Sequence, residues 1–344
     1  MKHVLDMTED ELAAELASLA EPPFRARQVA AWLWKKHAAA WSQMSDLPAA
    51  LREALSERLA ILTERVVGEA RSADGTVKCV LELGDGERIE AVAIPAAKRL
   101  TACVSTQVGC AMGCAFCATG QDGLRRDLSA GEIVEQVFHL QRLAGRRVTN
   151  VVFMGMGEPL ANYDATVRAV RAMIDPRRLA LSARHVTVST VGLPRAIRRL
   201  ADEKLPITLA ISLHAPTDAL RRRLVPAAAT VSLDELLAAA EAFYQSRHRE
   251  VTLEYVLLAG VNDTRPCAEA LARIARRLRC NVNVILYNPT GPAEFTRPSQ
   301  AAVKAFVSWL TDRGTNVNLR RSHGLDVAGA CGQLTRRSRQ SAAR

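Results

Sequence analysis

A chain of 344 residues, 49% of them apolar, is long enough to bury one large domain with a small accessory one beside it, which excludes a disordered or low-complexity protein. Its 46 Lys and Arg against 36 Asp and Glu leave a net charge of +10, pointing to a polyanionic partner, nucleic acid first. No run of eighteen apolar residues occurs and the opening MKHVLDMTEDELAAEL is charged throughout, so a cytoplasmic protein without membrane span or signal peptide is expected.

Residues 1–60 read as a small helical domain. Thr8 with Glu11 makes a capping box, and Pro22-Pro23 breaks the first helix before Arg25 to His37 starts another. The module interleaves Phe24, Trp32, Trp34 and Trp41 with Arg25, Arg27, Lys35 and Lys36, a mixture that could stack on and clamp RNA. Trp32 and Trp41 are expected to plug its small core, leaving the cations for phosphate. Residues 61–98 then read as a linker carrying a β-hairpin, with alternating strand residues from Val77 to Ile94 and a turn at Gly84-Asp85-Gly86.

From residue 99 to 332 strands alternate with amphipathic helices. Strands are expected at Thr101–Val108, Val148–Met154, His185–Ser189, Ile207–Leu213, Thr252–Leu258 and Val282–Tyr287. The clearest helices follow capping boxes at Ser129/Glu132 and Ser232/Glu235. Six such units predict an α/β fold, a partial (β/α)6 barrel of the TIM-like kind, whose chemistry sits at the C-terminal strand ends. Informative residues fall there: a cysteine loop after the first strand, Gly155-Met156-Gly157-Glu158-Pro159 after the second, then Ser189, Ser212 with His214, and Asn288. Basic clusters at Arg177-Arg178, Arg198-Arg199, Arg221–Arg223, Arg320-Arg321 and Arg336-Arg337, the last in a basic tail over 333–344, together suggest a nucleic-acid tract.

The cysteine loop is Cys110-Ala-Met-Gly-Cys114-Ala-Phe-Cys117. A closed structural zinc site wants four ligands, whereas a cubane held by three thiolates leaves one iron open. The zinc alternative needs a fourth ligand, and none lies near before His139, which falls on a predicted helix. Eight cysteines in a reducing compartment argue for ligation or thiol chemistry over a disulfide framework.

A C-x3-C-x2-C loop after the first strand of a β/α barrel, followed by GMGEP after the second, resembles the radical S-adenosylmethionine (SAM) superfamily. The resemblance implies one 4Fe-4S cluster on Cys110, Cys114 and Cys117, with SAM chelated at the open iron and cleaved to a 5'-deoxyadenosyl radical. TACVSTQVGCAMGCAFCATG together with GLDVAGACGQL is similar to the RlmN-type adenine-C2 methyltransferases of 23S rRNA and tRNA, over nearly the whole chain. Carbon 2 of adenine has no nucleophilic lone pair, so a polar methyl transfer cannot reach it. The family implies instead that Cys331 takes a methyl from one SAM, that a second SAM supplies the radical, and that a covalent protein–RNA adduct forms. Cys103 then attacks the Cys331 sulfur, releasing product and leaving a disulfide. Glu90 stands at the proton-acceptor position, and Gly157, Glu158, Ser189, Ser212, Leu213, His214 and Asn288 at the SAM contacts.

Taken singly these residues read more blandly. Cys103 would be a small buried hydrophobe, Glu90 the solvent face of a strand and His214 a core histidine. Cys79, Cys267 and Cys280 match no motif and read as structural. The Gly- and Ala-rich setting of Cys331 suits a carrier that moves. RSHGLDV departs from a family segment often richer in Arg. The expected partners are 23S rRNA and tRNA and an electron donor such as flavodoxin or ferredoxin, with the enzyme a monomer. A Cfr-type carbon-8 methyltransferase is the nearest alternative, against which the proline of GEPL weighs. A zinc-dependent RNA-binding module and a radical activase of a protein are the others.

Overall fold

The structure, a computed structural model, describes residues 1–290 and 294–335. Residues 336–344, with Arg336-Arg337 and most of the expected basic tail, lie outside the described residues. Among the described residues no helix is long and apolar enough to cross a membrane.

The N-terminal module holds β1 (Lys2–His3), α1 (Glu9–Ser18), α2 (Phe24–Trp34), α3 (Ala49–Arg58) and β2 (Leu59–Ala60), with β1 parallel to β2. The Thr8 capping box forms: Glu11 N donates to Thr8 Oγ1 at 3.1 Å and Thr8 N to Glu11 Oε2 at 2.7 Å. Trp41 is buried as expected, its Nε1 donating to the Leu59 carbonyl at 2.8 Å. Trp32 departs from expectation. It is half-buried with Lys36 Nζ 3.4 Å from its ring centre, because the indole bonds Asp46 at the surface. Trp34 fills the core in its place, edge-on to Phe138 at 6.0 Å.

One ten-stranded mixed sheet forms the body. It begins with antiparallel β3 (Arg65–Arg71), β4 (Val77–Glu82), β5 (Arg88–Ala96) and β6 (Arg99–Cys103). The expected hairpin is therefore β4–β5, but it continues the main sheet, Val92 lying opposite Cys103. β3 was not foreseen; RVVGEAR is charged, sits at the sheet edge and is bulged at Val66–Gly68. The first core strand is also shorter than Thr101–Val108. It ends at Cys103, and Gln107–Gly109 forms a separate β7 paired with β8 (Leu124–Asp127).

From β6 the sheet runs parallel through β9 (Asn150–Phe153), β10 (Val186–Thr190), β11 (Thr208–Ser212), β12 (Val251–Leu257), β13 (Cys280–Leu286) and β14 (Val317–Arg320). These are the six anticipated units plus a seventh parallel strand, β14, whose short polar sequence at an edge hides it from apolar patterning. Interior strands such as β11 carry apolar side chains on both faces because helices cover them. The helices are α4 (Ala118–Gln121), α5 (Ala130–Ala144), α6 (Tyr163–Ile174), α7 (Pro194–Asp202), α8 (Asp218–Leu224), α9 (Leu233–Arg247), α10 (Arg265–Arg277) and α11 (Gln300–Thr311). Ser129 and Glu132 cap α5 reciprocally, and Ser232 accepts from Glu235 N at the start of α9. α5 buries Ile133, Val134, Val137, Phe138 and Leu140 against the sheet and the N-terminal module, so both share one core.

Candidate active site

The turn after β7 carries Cys110 and Cys114, and Cys117 caps α4. Gly109 is required there: it adopts φ +78°, and a Cβ would stand 1.8 Å from the Gly123 carbonyl oxygen. Burial pushes the Cys110 thiol up to about 12 and Cys114 well above its ordinary value, and neighbouring thiolates add to both rises. Such thiols give up their protons when a cation takes their place. Among the described residues the one group of three ligand atoms mutually within 4.8 Å lies elsewhere, so the three sulfurs do not all come within 4.8 Å of one another. Three soft thiols at that spacing fit a multinuclear iron–sulfur body.

The cysteines line one cavity of about 940 Å³, its open mouth included, with Gly157, Glu158, Ser189, Ser212, His214, Asn288 and Cys331. The loop after β9 turns at Gly157, whose φ of +99° and 2.6 Å clearance to Gln107 Cβ exclude a side chain. Glu158 is buried beyond it. Its oxygens accept from Leu160 N at 2.9 Å and Val191 N at 2.8 Å, yet burial prevails and holds the carboxyl up at about 7. Ser189 Oγ and Ser212 Oγ meet at 3.3 Å. His214 stands edge-on to Phe116 at 4.7 Å, and its Nδ1 accepts from Val256 N at 3.0 Å. Burial, assisted by Arg221, drops its pKa to about 3, so the ring is neutral with Nε2 carrying the proton. Leu213 instead points into the apolar core and is absent from the cavity wall.

The last described segment closes the site. Ala118 N donates to Gly332 O at 2.8 Å, Thr119 Oγ1 to Leu334 O at 2.6 Å, and Asn288 Nδ2 to Cys331 O at 3.1 Å. Asn288 thus holds the Cys331 segment itself, with Ser322 on its Oδ1 at 2.8 Å. Of the eight cysteines, all free, Cys331 alone is exposed, and its surface faces the cavity. The cavity walls nonetheless take its thiol out of bulk water and raise its pKa, and Arg320 opposes the rise. Cys103, at the end of β6, is buried and is pushed up to about 12 by that burial, with the Cys331 thiolate in its field adding to the rise.

Glu90 does not face solvent; it is wholly buried, between Lys78 Nζ at 2.9 Å and Thr335 N at 2.9 Å. Burial raises its pKa and Lys78 opposes. Cys79 and Cys280 are pushed up by burial away from the cavity and have no part in it.

Sequence reasoning missed several residues. Lys78 was one more strand cation, distinguishable only as the sole charge between Val77 and Leu81 on a buried strand. Glu254 lines the cavity, pairing Arg320 Nη1 at 3.4 Å and Asn283 Nδ2 at 2.9 Å. Arg221, expected in a surface tract, is 1% exposed and bonds the Val191 carbonyl. Burial lowers its pKa, and the Cys114 thiolate is among the groups opposing that fall. Arg222 and Arg223 alone stay at the surface.

The radical SAM superfamily model matches residues 104–270, and the model of the ribosomal RNA large subunit methyltransferase N-terminal domain matches residues 2–61. The chain is 45% identical to the probable dual-specificity RNA methyltransferase RlmN of Thermosynechococcus vestitus, over 94% of this chain and 95% of the relative. It is 44% identical to the dual-specificity RNA methyltransferase RlmN of Solidesulfovibrio magneticus, over 97% and 96%. The crystal structure of a radical SAM methyltransferase from Sphaerobacter thermophilus superposes with TM-score 0.95 at 45% identity, covering 98% of this chain and all of that one. With a thiol triad, a buried carboxylate and a fourth thiol around one cavity, this chain belongs to the RlmN-type radical SAM RNA methyltransferases.

Proposed function

We propose that the protein methylates carbon 2 of adenine in 23S rRNA and in tRNA next to the anticodon, consuming two SAM per turnover. One observation carries this reading: Cys331 faces the same cavity as Cys110, Cys114, Cys117 and Glu158. The three thiolates would hold a 4Fe-4S cluster, and Gly157, Glu158, Ser189, Ser212, His214 and Asn288 the SAM, Leu213 contributing backbone only. When bound, cluster and SAM supply one-electron chemistry that abstracts a hydrogen atom.

The chain's own residues do the rest. The Cys331 thiolate attacks the methyl carbon of SAM, forming an S–C bond as the methyl–sulfonium bond breaks and S-adenosylhomocysteine leaves, and so becomes the methyl carrier. Its S-bound carbon, once a hydrogen atom is removed, bonds to carbon 2 of the adenine, and the adduct radical so formed would give up one electron to the oxidised cluster. Glu90, with its pKa held up by burial, accepts the carbon-2 proton. Cys103 attacks the Cys331 sulfur, forming an S–S bond as the carbon–sulfur bond breaks and the departing carbon takes a proton to become the methyl group, and an outside dithiol reduces the disulfide afterwards. The helical module of residues 1–60 would meet the RNA, with Arg and Lys on phosphate. A flavodoxin or ferredoxin would feed the cluster, and the enzyme would act as a cytoplasmic monomer.

The test is anaerobic turnover of reconstituted protein with SAM, a reductant and ribosomal or transfer RNA, followed by mass spectrometry of nucleosides. 2-Methyladenosine is expected, Cys331→Ala abolishing it and Cys103→Ala accumulating a protein–RNA adduct. 8-Methyladenosine, or SAM cleavage without methylated adenine, would overturn the reading.

A further inference from the structure

Beneath the N-terminal module lies a second polar cluster that no step above uses. Glu64, on the stretch between β2 and β3, meets Glu135 and His139, one turn apart on α5. Their ligand atoms all lie within 4.8 Å of one another, and none of the three lines the catalytic cavity. His139, no partner for the cysteine loop, points here.

The side chains of Glu64 and Glu135 are wholly buried. Glu135 is well served: Thr63 N at 2.9 Å, Thr63 Oγ1 at 3.1 Å and Glu64 N at 2.8 Å all donate to it. His3 from β1 lies 3.3 Å from its Oε2. Glu64 is the opposite case, because neither of its oxygens has a hydrogen-bond partner. A buried carboxylate with empty oxygens beside a second carboxylate is costly unless a cation or proton joins them. A shared proton needs a short O···O contact, and no hydrogen bond links Glu64 to Glu135.

The spacing suits a cation. His139 Nε2 lies 3.1 Å from Glu135 Oε1 and 4.0 Å from Glu64 Oε2. These bracket the edge of a tetrahedron with bonds of about 2.0–2.1 Å, an edge of roughly 3.3 Å. Two carboxylates and an imidazole form a donor set of the zinc kind. Thr63 and the Glu64 amide orient Glu135 from behind, as outer groups do around metal ligands.

We propose that Glu64, Glu135 and His139 bind one Zn²⁺, which fastens the N-terminal helical module to the radical core. The ligands come from the inter-module stretch and the core helix, and His3 adds the first strand through Glu135. The metal neutralises both carboxylates and occupies the empty oxygens of Glu64.

The test uses holoenzyme with its cluster filled, stripped of loose metal by EDTA and titrated with Zn²⁺. About one zinc per chain is expected, with a zinc-edge X-ray absorption shell of nitrogen and oxygen only, at about 2.0–2.1 Å, and a raised melting temperature. Glu64→Gln should lose the zinc yet melt above wild type in EDTA, where it removes an uncompensated buried charge. In zinc the order should reverse. His139→Asn should also lose the metal. No zinc beyond background, a zinc shell containing sulfur, or Glu64→Gln melting higher in both buffers would overturn the proposal, the last two assigning the metal to the cysteine loop and a proton to the carboxylates.

Discussion

Lys78 Nζ lies 2.9 Å from Glu90 Oε1, a lysine from β4 paired with a wholly buried carboxylate on β5. The same lysine reaches the Ala328 carbonyl at 3.4 Å, and Thr335 N caps the other Glu90 oxygen, so the segment that carries Cys331 and the buried carboxylate share one anchor.

Replacing Lys78 by Met leaves Glu90 without the cation that opposes its desolvation. Glu90's pKa is already raised, so its neutral form is the stable one at low pH, and that contribution disappears as pH rises through the folded value. The variant should move the acidic limb of the methylation rate to higher pH and slow turnover about 10- to 100-fold at neutral pH. An unchanged pH profile would remove Lys78 from the proposed chemistry.

Glu158, held up at about 7, sets a pH dependence of ligand binding. Its raised value stabilises the free protein below the ordinary carboxylate range, and that stability is lost as pH climbs through about 7. A ligand ammonium would pair with the ionised form, so SAM affinity should fall about tenfold for each pH unit below 7. Anaerobic calorimetric titration from pH 5 to 8 reads this slope, and Glu158→Gln should flatten it.

Arg221 is a buried cation whose Nε and Nη1 have no hydrogen-bond partner, with the Cys114 thiolate in its field. Arg221→Met removes positive charge beside the thiolates, which disfavours adding an electron to a cluster held there. The midpoint potential in an electron-paramagnetic-resonance redox titration should fall; a rise or no change contradicts the assignment.

Gly157→Ala places a Cβ 2.6 Å from Gln107 Cβ at φ +99°, and Gln107 also holds Glu158 N at 2.8 Å. A loss of about 2–4 kcal/mol is expected in denaturant unfolding, from backbone strain plus overpacking. SAM binding should weaken with it, since the turn presents Glu158.

By itself the sequence determined whatever depends on local pattern: the capping boxes at Thr8 and Ser129, the alternation of apolar strands with amphipathic helices, and the cysteine spacing that places three thiols on one loop. Those signals are local because a cap, a 3.6-residue stripe or a three-residue cysteine spacing is satisfied by neighbours in the chain. Tertiary structure alone decided the environments. Glu90 alternates along β5 like a surface residue, yet the C-terminal segment around Thr335, arriving from more than two hundred residues away, covers it and makes it a buried carboxylate. Arg221 sits in an arginine run that reads as surface, and only the loop after β10 meeting α8 supplies the Val191 carbonyl that takes it inside. Glu135 and His139 lie one turn apart on α5, but Glu64 comes from a stretch far earlier in the chain, so no local spacing announces the three together. Burial and electrostatics are set by what packs across the chain, and periodicity along it contains no record of that.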